Sequence, residues 1–252
     1  MEILILLISI LNEYYFSPFS GNKFLSCEKA ISILKAPSIS EFNKENVLIS
    51  FSYSNPYQIS GLNFFEGAIL KNFKIFKFGI GYEFFGTDFY RENTYLLGIS
   101  FNRENINFGI NFKTLNLYIK ENFSKWVFGM DFGISFSLFE NLKIGFFSLN
   151  FNSPKIISQK IYPVSSISIS FKENENFETL FDLNYEEKYT SFNFAQKFYI
   201  LKNLVISPGI SLEPPLFSII FEVPFENIDF SYSFKNHPIL GGYHSYEIDI
   251  KR

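Results

Sequence analysis

Cysteine, histidine and methionine are nearly missing from this chain of 252 residues, which holds one, two and two of them. The single cysteine, Cys27, excludes an internal disulfide framework, and its surroundings read as an ordinary buried or lumenal thiol. His237 and His244 have no visible ligand partners, so no metal is expected. Lys and Arg total 22 against 25 Asp and Glu and never cluster, which removes the electrostatic footprint of a nucleic-acid binder. No phosphate loop, nucleophile elbow or dinucleotide fingerprint occurs, so neither a cofactor nor catalysis is expected. Helical periodicity is also lacking after residue 46. The apolar stretch "MEILILLISIL" at residues 1–11 is too short to cross a bilayer as a helix.

Phenylalanine is abundant instead: 35 residues, within an aromatic content of 20%, which suggests a surface made for something other than water. In "WVFGMDFGISFSL", residues 126–138, every even position is large and apolar, while the odd ones are mostly Gly, Ser or Asp. Period two means a strand, because successive side chains of a pleated backbone point to opposite faces. At its full length this strand reaches about 40 Å, whereas strands of soluble domains usually stop near about 17–20 Å. A tilted strand needs about 9–11 residues to cross hydrocarbon.

The pattern recurs at 47–53, 75–85, 106–112 and 228–234, and more weakly at 63–70, 93–101, 142–151, 165–171, 178–185, 191–200, 204–212, 216–223 and 243–250. The expected fold is therefore all-β: a transmembrane antiparallel up-and-down barrel of about fourteen strands. Phase slips at Phe112 to Leu115 and at Phe146 to Phe147 predict β-bulges or strand ends, and Pro208 predicts an irregularity near one rim. Connections after even-numbered strands are short and polar, while several of the others are longer, which matches periplasmic turns and outer loops.

Tyr53, Tyr95, Tyr118, Trp126, Tyr185, Tyr189 and Tyr243 fall at strand ends on the longer-loop side and read as an aromatic girdle at the headgroup level. The opposite parity supplies lumen-lining polar candidates: Lys77, Glu83, Asn111, Asp131, Asp182, Glu222, Asp229 and Glu247. Ion pairs with Lys77, Lys113 or Lys197 are the expected use of the carboxylates, ahead of a substrate-guiding path. His237 is expected in a solvated loop. His244 is expected on the lipid face, with Ser245 on the other, which separates any His/Ser pair.

Three segments follow: a signal peptide over 1–16, a plug-like segment over 17–46 and a barrel over 47–252. The order of "NPYQISGLNFFEGAIL", "FGIGYEFFGTDFYRENTYLLGISF", "GFFSLNFNSP", "LKNLVISPGISLEPPLFSIIF" and "FKNHPILGGYHSYEIDI" resembles the PorV/PorQ group of outer-membrane proteins and the wider FadL-like barrels. That resemblance implies fourteen strands with an N-terminal segment inside the lumen. "KAISILKAPSISEF" stands where those relatives have an Asn-Pro-Ala plug sequence, and it lacks the tripeptide.

The resemblance also implies a non-enzymatic conduit for small apolar molecules in the bacterial outer membrane. The partners it implies are the lipid bilayer and a small hydrophobic ligand. A docking barrel for secreted proteins, working with type IX-like secretion proteins, is the alternative it allows. From the residues alone, a soluble β-sandwich or lipocalin-like carrier is the reading that the faces of the strands must distinguish.

Overall fold

A computed structural model describes residues 47–252 apart from 74, 122, 157–158, 188, 214 and 239–240. The expected signal peptide (1–16) and plug-like segment (17–46) therefore lie outside the described residues, as does Cys27. Among the described residues sixteen strands occur in chain order: β1 Val47–Asn55, β2 Asn63–Phe73, β3 Phe76–Gly86, β4 Tyr90–Arg103, β5 Ile106–Ile119, β6 Phe123–Phe139, β7 Leu142–Leu149, β8 Lys155–Ile156, β9 Gln159–Lys160, β10 Val164–Asn174, β11 Phe177–Glu186, β12 Tyr189–Leu201, β13 Leu204–Leu212, β14 Pro215–Pro224, β15 Ile228–His237 and β16 Gly241–Lys251. Fourteen of them form one closed barrel in which each long strand pairs with its chain neighbours, β7 with β10. β8 and β9 make a separate two-stranded ribbon within the β7–β10 connection.

Closure is made by β1 and β16, antiparallel from Leu48↔Lys251 to Asn55↔His244. It removes the sheet edges, which in hydrocarbon would leave N–H and C=O groups unbonded.

The two faces are the reverse of a soluble protein's. In β1, Ser50, Ser52 and Ser54 are buried and Phe51 and Tyr53 exposed; in β10, Ser166, Ser168 and Ser170 are buried and Ile167, Ile169 and Phe171 exposed. Small hydroxyls fit the crowded inside of the barrel, and the large rings cover its outside. Neighbouring rings meet across strands on that outer surface, as Phe76 with Phe101 at 5.4 Å between centroids and Phe132 with Phe146 at 5.7 Å. Among the described residues no second sheet covers them, so those rings need hydrocarbon. The protein is a membrane-spanning barrel, and a β-sandwich or lipocalin-like carrier is excluded by its inverted faces.

Two local expectations need correction. β5 runs in unbroken register with both neighbours through Phe112 to Leu115, and β7 does so through Phe146 and Phe147. The consecutive apolar residues there face lipid and lumen in turn, because the inner wall also accepts apolar side chains. Register shifts occur instead at Ser137/Phe139, Lys172/Asn174 and Tyr199/Leu201, each beside a tight turn. Pro208 does disturb a ladder, but in the middle of β13 and not at a rim. It pairs with Ile219 on β14, while the β12 ladder skips from Ala195↔Gly209 to Phe198↔Ile206 where the missing N–H would stand.

Candidate functional site

Alternation carries all eight polar candidates to the inner face. Lys77, Asn111, Asp131 and Asp182 are fully buried, while Glu83, Glu222, Asp229 and Glu247 are half-buried. Several are paired: Lys197 Nζ lies 3.6 Å from Glu222 Oε2, and Lys251 Nζ lies 2.5 Å from Asp229 Oδ2. Asp249 accepts a hydrogen bond from Ser50 across the seam. Carboxylates and ammonium groups drawn away from water need such partners, and ion pairing is how this lumen holds them.

The tightest constellation surrounds Asp131. Its Oδ1 receives Lys113 Nζ at 2.6 Å and the backbone N–H of Asn150 at 2.8 Å, while Asn111 Nδ2 approaches Oδ2 at 3.5 Å. Gly129 leaves the room for this arrangement, since a Cβ there would come within 3.0 Å of two Lys113 side-chain carbons and 3.3 Å of Asn150 Oδ1. Asn150 has a positive φ of 53°, and β7 ends just before it.

That ending leaves the upper part of β6 without a β7 partner. β6 has 17 residues and β7 only 8, and their ladder covers no more of β6 than Phe132 to Phe139. Above it, Asn152 stands in for a strand: its Oδ1 accepts from Met130 N–H at 2.9 Å and its Nδ2 donates to Phe128 O at 3.1 Å. The N–H of Phe151 donates to Met130 O at 3.0 Å. Beyond these bonds, among the described residues, no barrel strand pairs with β6 on this side.

Apolar side chains line the inside of the same half of the barrel. Leu62, Phe64 and Phe85 form a buried cluster against Tyr90, and Leu96 and Leu117 carry apolar inner surface across β4 and β5 toward β6. Local chemistry places them. Asn55 Nδ2 holds the β1–β2 loop by donating to Ile59 O at 3.0 Å and Leu62 O at 2.6 Å. Gly86 turns the chain between Phe85 and Tyr90 at φ 146°, where a Cβ would lie 2.1 Å from Tyr90 O.

The aromatic set divides. Tyr53, Tyr95, Trp126 and Tyr185 are exposed on the outer face, and Tyr118 lies half-buried beneath the Arg91 guanidinium at 5.8 Å. Tyr189 is exposed at the tip of β12, yet its register aligns it with inward Glu186 and Val164. Tyr243 is corrected outright. It shares parity with Ser245 and Glu247 and faces the lumen, with its hydroxyl 2.7 Å from Ser54 Oγ and Lys235 Nζ 5.1 Å from its ring.

His237 is corrected too: it is buried at the end of β15 on the inner face. His244 faces outward with Nδ1 2.8 Å from Tyr232 Oη, whereas Ser245 Oγ lies 3.3 Å from Ser52 Oγ on the inner side. No nucleophile and base converge there.

The wall break and the apolar inner patch were not foreseen from the sequence. The available signal was "NFNSP", where alternation stops after Leu149 while β6 continues.

No family model matches the chain, and no curated protein matches it. Solved structures do. The deltaS2S3 mutant of the TodX monoaromatic hydrocarbon channel superposes with a TM-score of 0.69 at 8% identity, over 88% of this chain and 94% of that one. The Ralstonia pickettii toluene transporter TbuX gives 0.64 at 9%, covering 88% and 92%. A Pseudomonas aeruginosa FadL homologue gives 0.60 at 9%, covering 88% and 93%. At such identities the likeness is one of fold: this chain has the fourteen-stranded barrel architecture of FadL-type channels, and PorV-type features in particular are not distinguished by it.

Proposed function

We propose that the protein is a bacterial outer-membrane conduit for small apolar molecules, which move along the apolar inner surface and leave through the side of the wall above β7. The observation that carries this reading is the unpaired upper part of β6 beside the Leu62–Phe64–Phe85 lining. A molecule of low polarity gains nothing from a water-filled exit, and a lateral one delivers it directly to hydrocarbon. Two of the similar barrels are a monoaromatic hydrocarbon channel and a toluene transporter, which supports the same substrate class. The export and plug roles of residues 1–16 and 17–46 belong to this proposal and rest on sequence.

The test is uptake of labelled toluene by cells lacking the gene and by cells complemented with wild type or with an Asn152→Cys/Met130→Cys chain. Complementation restores uptake, and oxidation of the paired cysteines abolishes it until reductant is added. Equal uptake with and without the gene refutes transport. Co-purification with a large translocon in that case supports the docking alternative.

A further inference from the structure

We infer that the outer face of β3–β6, just above the aromatic row, binds the sugar headgroup of an outer-leaflet glycolipid. Going up the outer face, side chains change in three steps. The first row holds Tyr82, Tyr95, Thr114 and Phe128, the second Phe84, Asn93, Asn116 and Trp126, and the third Gly86, Arg91, Tyr118 and Ser124. On β4 and β5 the hydrocarbon-facing surface therefore gives way to amides within two residues, between Phe84 of β3 and Trp126 of β6.

Those amides are joined sideways. Tyr82 Oη donates to Asn93 Oδ1 at 2.9 Å, Asn93 Nδ2 donates to Asn116 Oδ1 at 3.2 Å, and Asn116 Nδ2 donates to Ser124 Oγ at 3.2 Å and to Lys125 O at 3.3 Å. A polar chain of this kind, crossing four strands on the outer surface of a membrane protein, is costly in hydrocarbon and stable at headgroup depth.

The relay fixes its own geometry and keeps capacity for a ligand. Asn93 has two N–H groups and two carbonyl lone pairs and uses one of each; Ser124, at the exposed end, uses its oxygen as acceptor and has its O–H to give. Beside it stand two rings stacked at 5.8 Å, Trp126 and Tyr95, exposed by 54% and 46%. Aromatic faces take the C–H side of a pyranose while amides and hydroxyls bond its rim, so the two features are complementary to one ligand type. Arg91 adds a cation for a headgroup phosphate; the exposed Asp88 carboxylate lies 3.6 Å from it, the Arg91 Nε donates to Thr87 O at 3.3 Å, and the guanidinium covers the Tyr118 ring. An acyl-anchored sugar at the membrane surface fits this placement better than a sugar arriving from solution, because the rings continue the apolar outer face directly beside the amides. The inference is independent of what passes through the lumen.

The full-length barrel in mild detergent is titrated with rough-type lipopolysaccharide, with phosphatidylethanolamine and with the deacylated core oligosaccharide, and binding is read by native mass spectrometry. Lipopolysaccharide is expected to bind in preference to the other two. Trp126→Ala and Asn93→Leu each weaken it about tenfold, the loss of one ring contact or one hydrogen bond, while Phe217→Ala, on a distant part of the outer face, changes nothing. Ser124→Ala, a smaller change at the exposed end of the relay, gives the same reading if Asn93→Leu does not assemble. Equal binding of phosphatidylethanolamine, oligosaccharide binding as tight as that of the acylated form, or unchanged affinity in these variants overturns the inference.

Discussion

Asp131 joins three things that a barrel wall otherwise keeps apart: a buried ion pair, the end of β7 and the start of the stretch of β6 that β7 does not pair. Removing one member of a buried pair leaves an uncompensated charge, at about 3–5 kcal/mol. Asp131→Ala is therefore expected to lower the urea-unfolding free energy in micelles by about that amount, and Asp131→Ala combined with Lys113→Met to recover part of it. Strict additivity in this double-mutant cycle would mean that the two side chains do not interact. Gly86 is constrained as tightly by its φ and by Tyr90 O. Gly86→Ala is expected to cost more than the about 0.4–1 kcal/mol of an ordinary backbone-entropy change, read from the same unfolding curves. Asn152→Ala removes both side-chain bonds to β6, so hydrogen exchange at Met130 is expected to quicken while Ile134, inside the ladder, stays protected. Equal rates at Met130 before and after the change would show that Asn152 does not clasp the strand.

At the level of the strand, depth decides what a substitution costs. Phe132→Arg, near mid-membrane on the outward side of β6, is expected to cost about 2–4 kcal/mol, and Phe139→Arg, beside the lower turn, about 0–1 kcal/mol. Equal costs would argue against hydrocarbon over this face. Strands were the legible part of the sequence, because in β6 period two is written in residues of very different size. Register, bulges and the fate of single side chains were less so. Phe146 and Phe147 read as a slip because sequence alternation assumes a polar inner wall, yet Phe147 is fully buried inside the barrel. Tyr243 read as girdle from its closeness to a loop, whereas parity with Ser245 and Glu247 turns it inward. The inner polar candidates were readable by parity, but their partners were not, since Lys113 and Asp131 meet only through the β5–β6 register. The shortness of β7 relative to β6 shows in sequence only as the end of alternation at "NFNSP", and what it leaves unpaired on β6 emerges only when the two strands are set side by side.

For the whole molecule, the tight turns at 104–105, 140–141 and 202–203 share one end, and the long 150–163 connection lies at the other. A cysteine placed at exposed Lys160 is expected to react with a membrane-impermeant maleimide on intact cells, and one at exposed Glu140 only after lysis. Labelling of both on intact cells would invert or abolish this orientation. The closed hydrogen-bonded barrel should also run faster on a gel before boiling than after, a shift that an open sheet would lack.

The join between β1 and β16 has a consequence for biogenesis. Ser50 and Asp249 are 199 residues apart in the chain, and every other strand lies between them. A nascent chain released before its last strand exists carries two bare edges and a hydrophobic exterior, a state prone to aggregate. Sheltering both margins until the final zipping step is what would keep such a chain from aggregating.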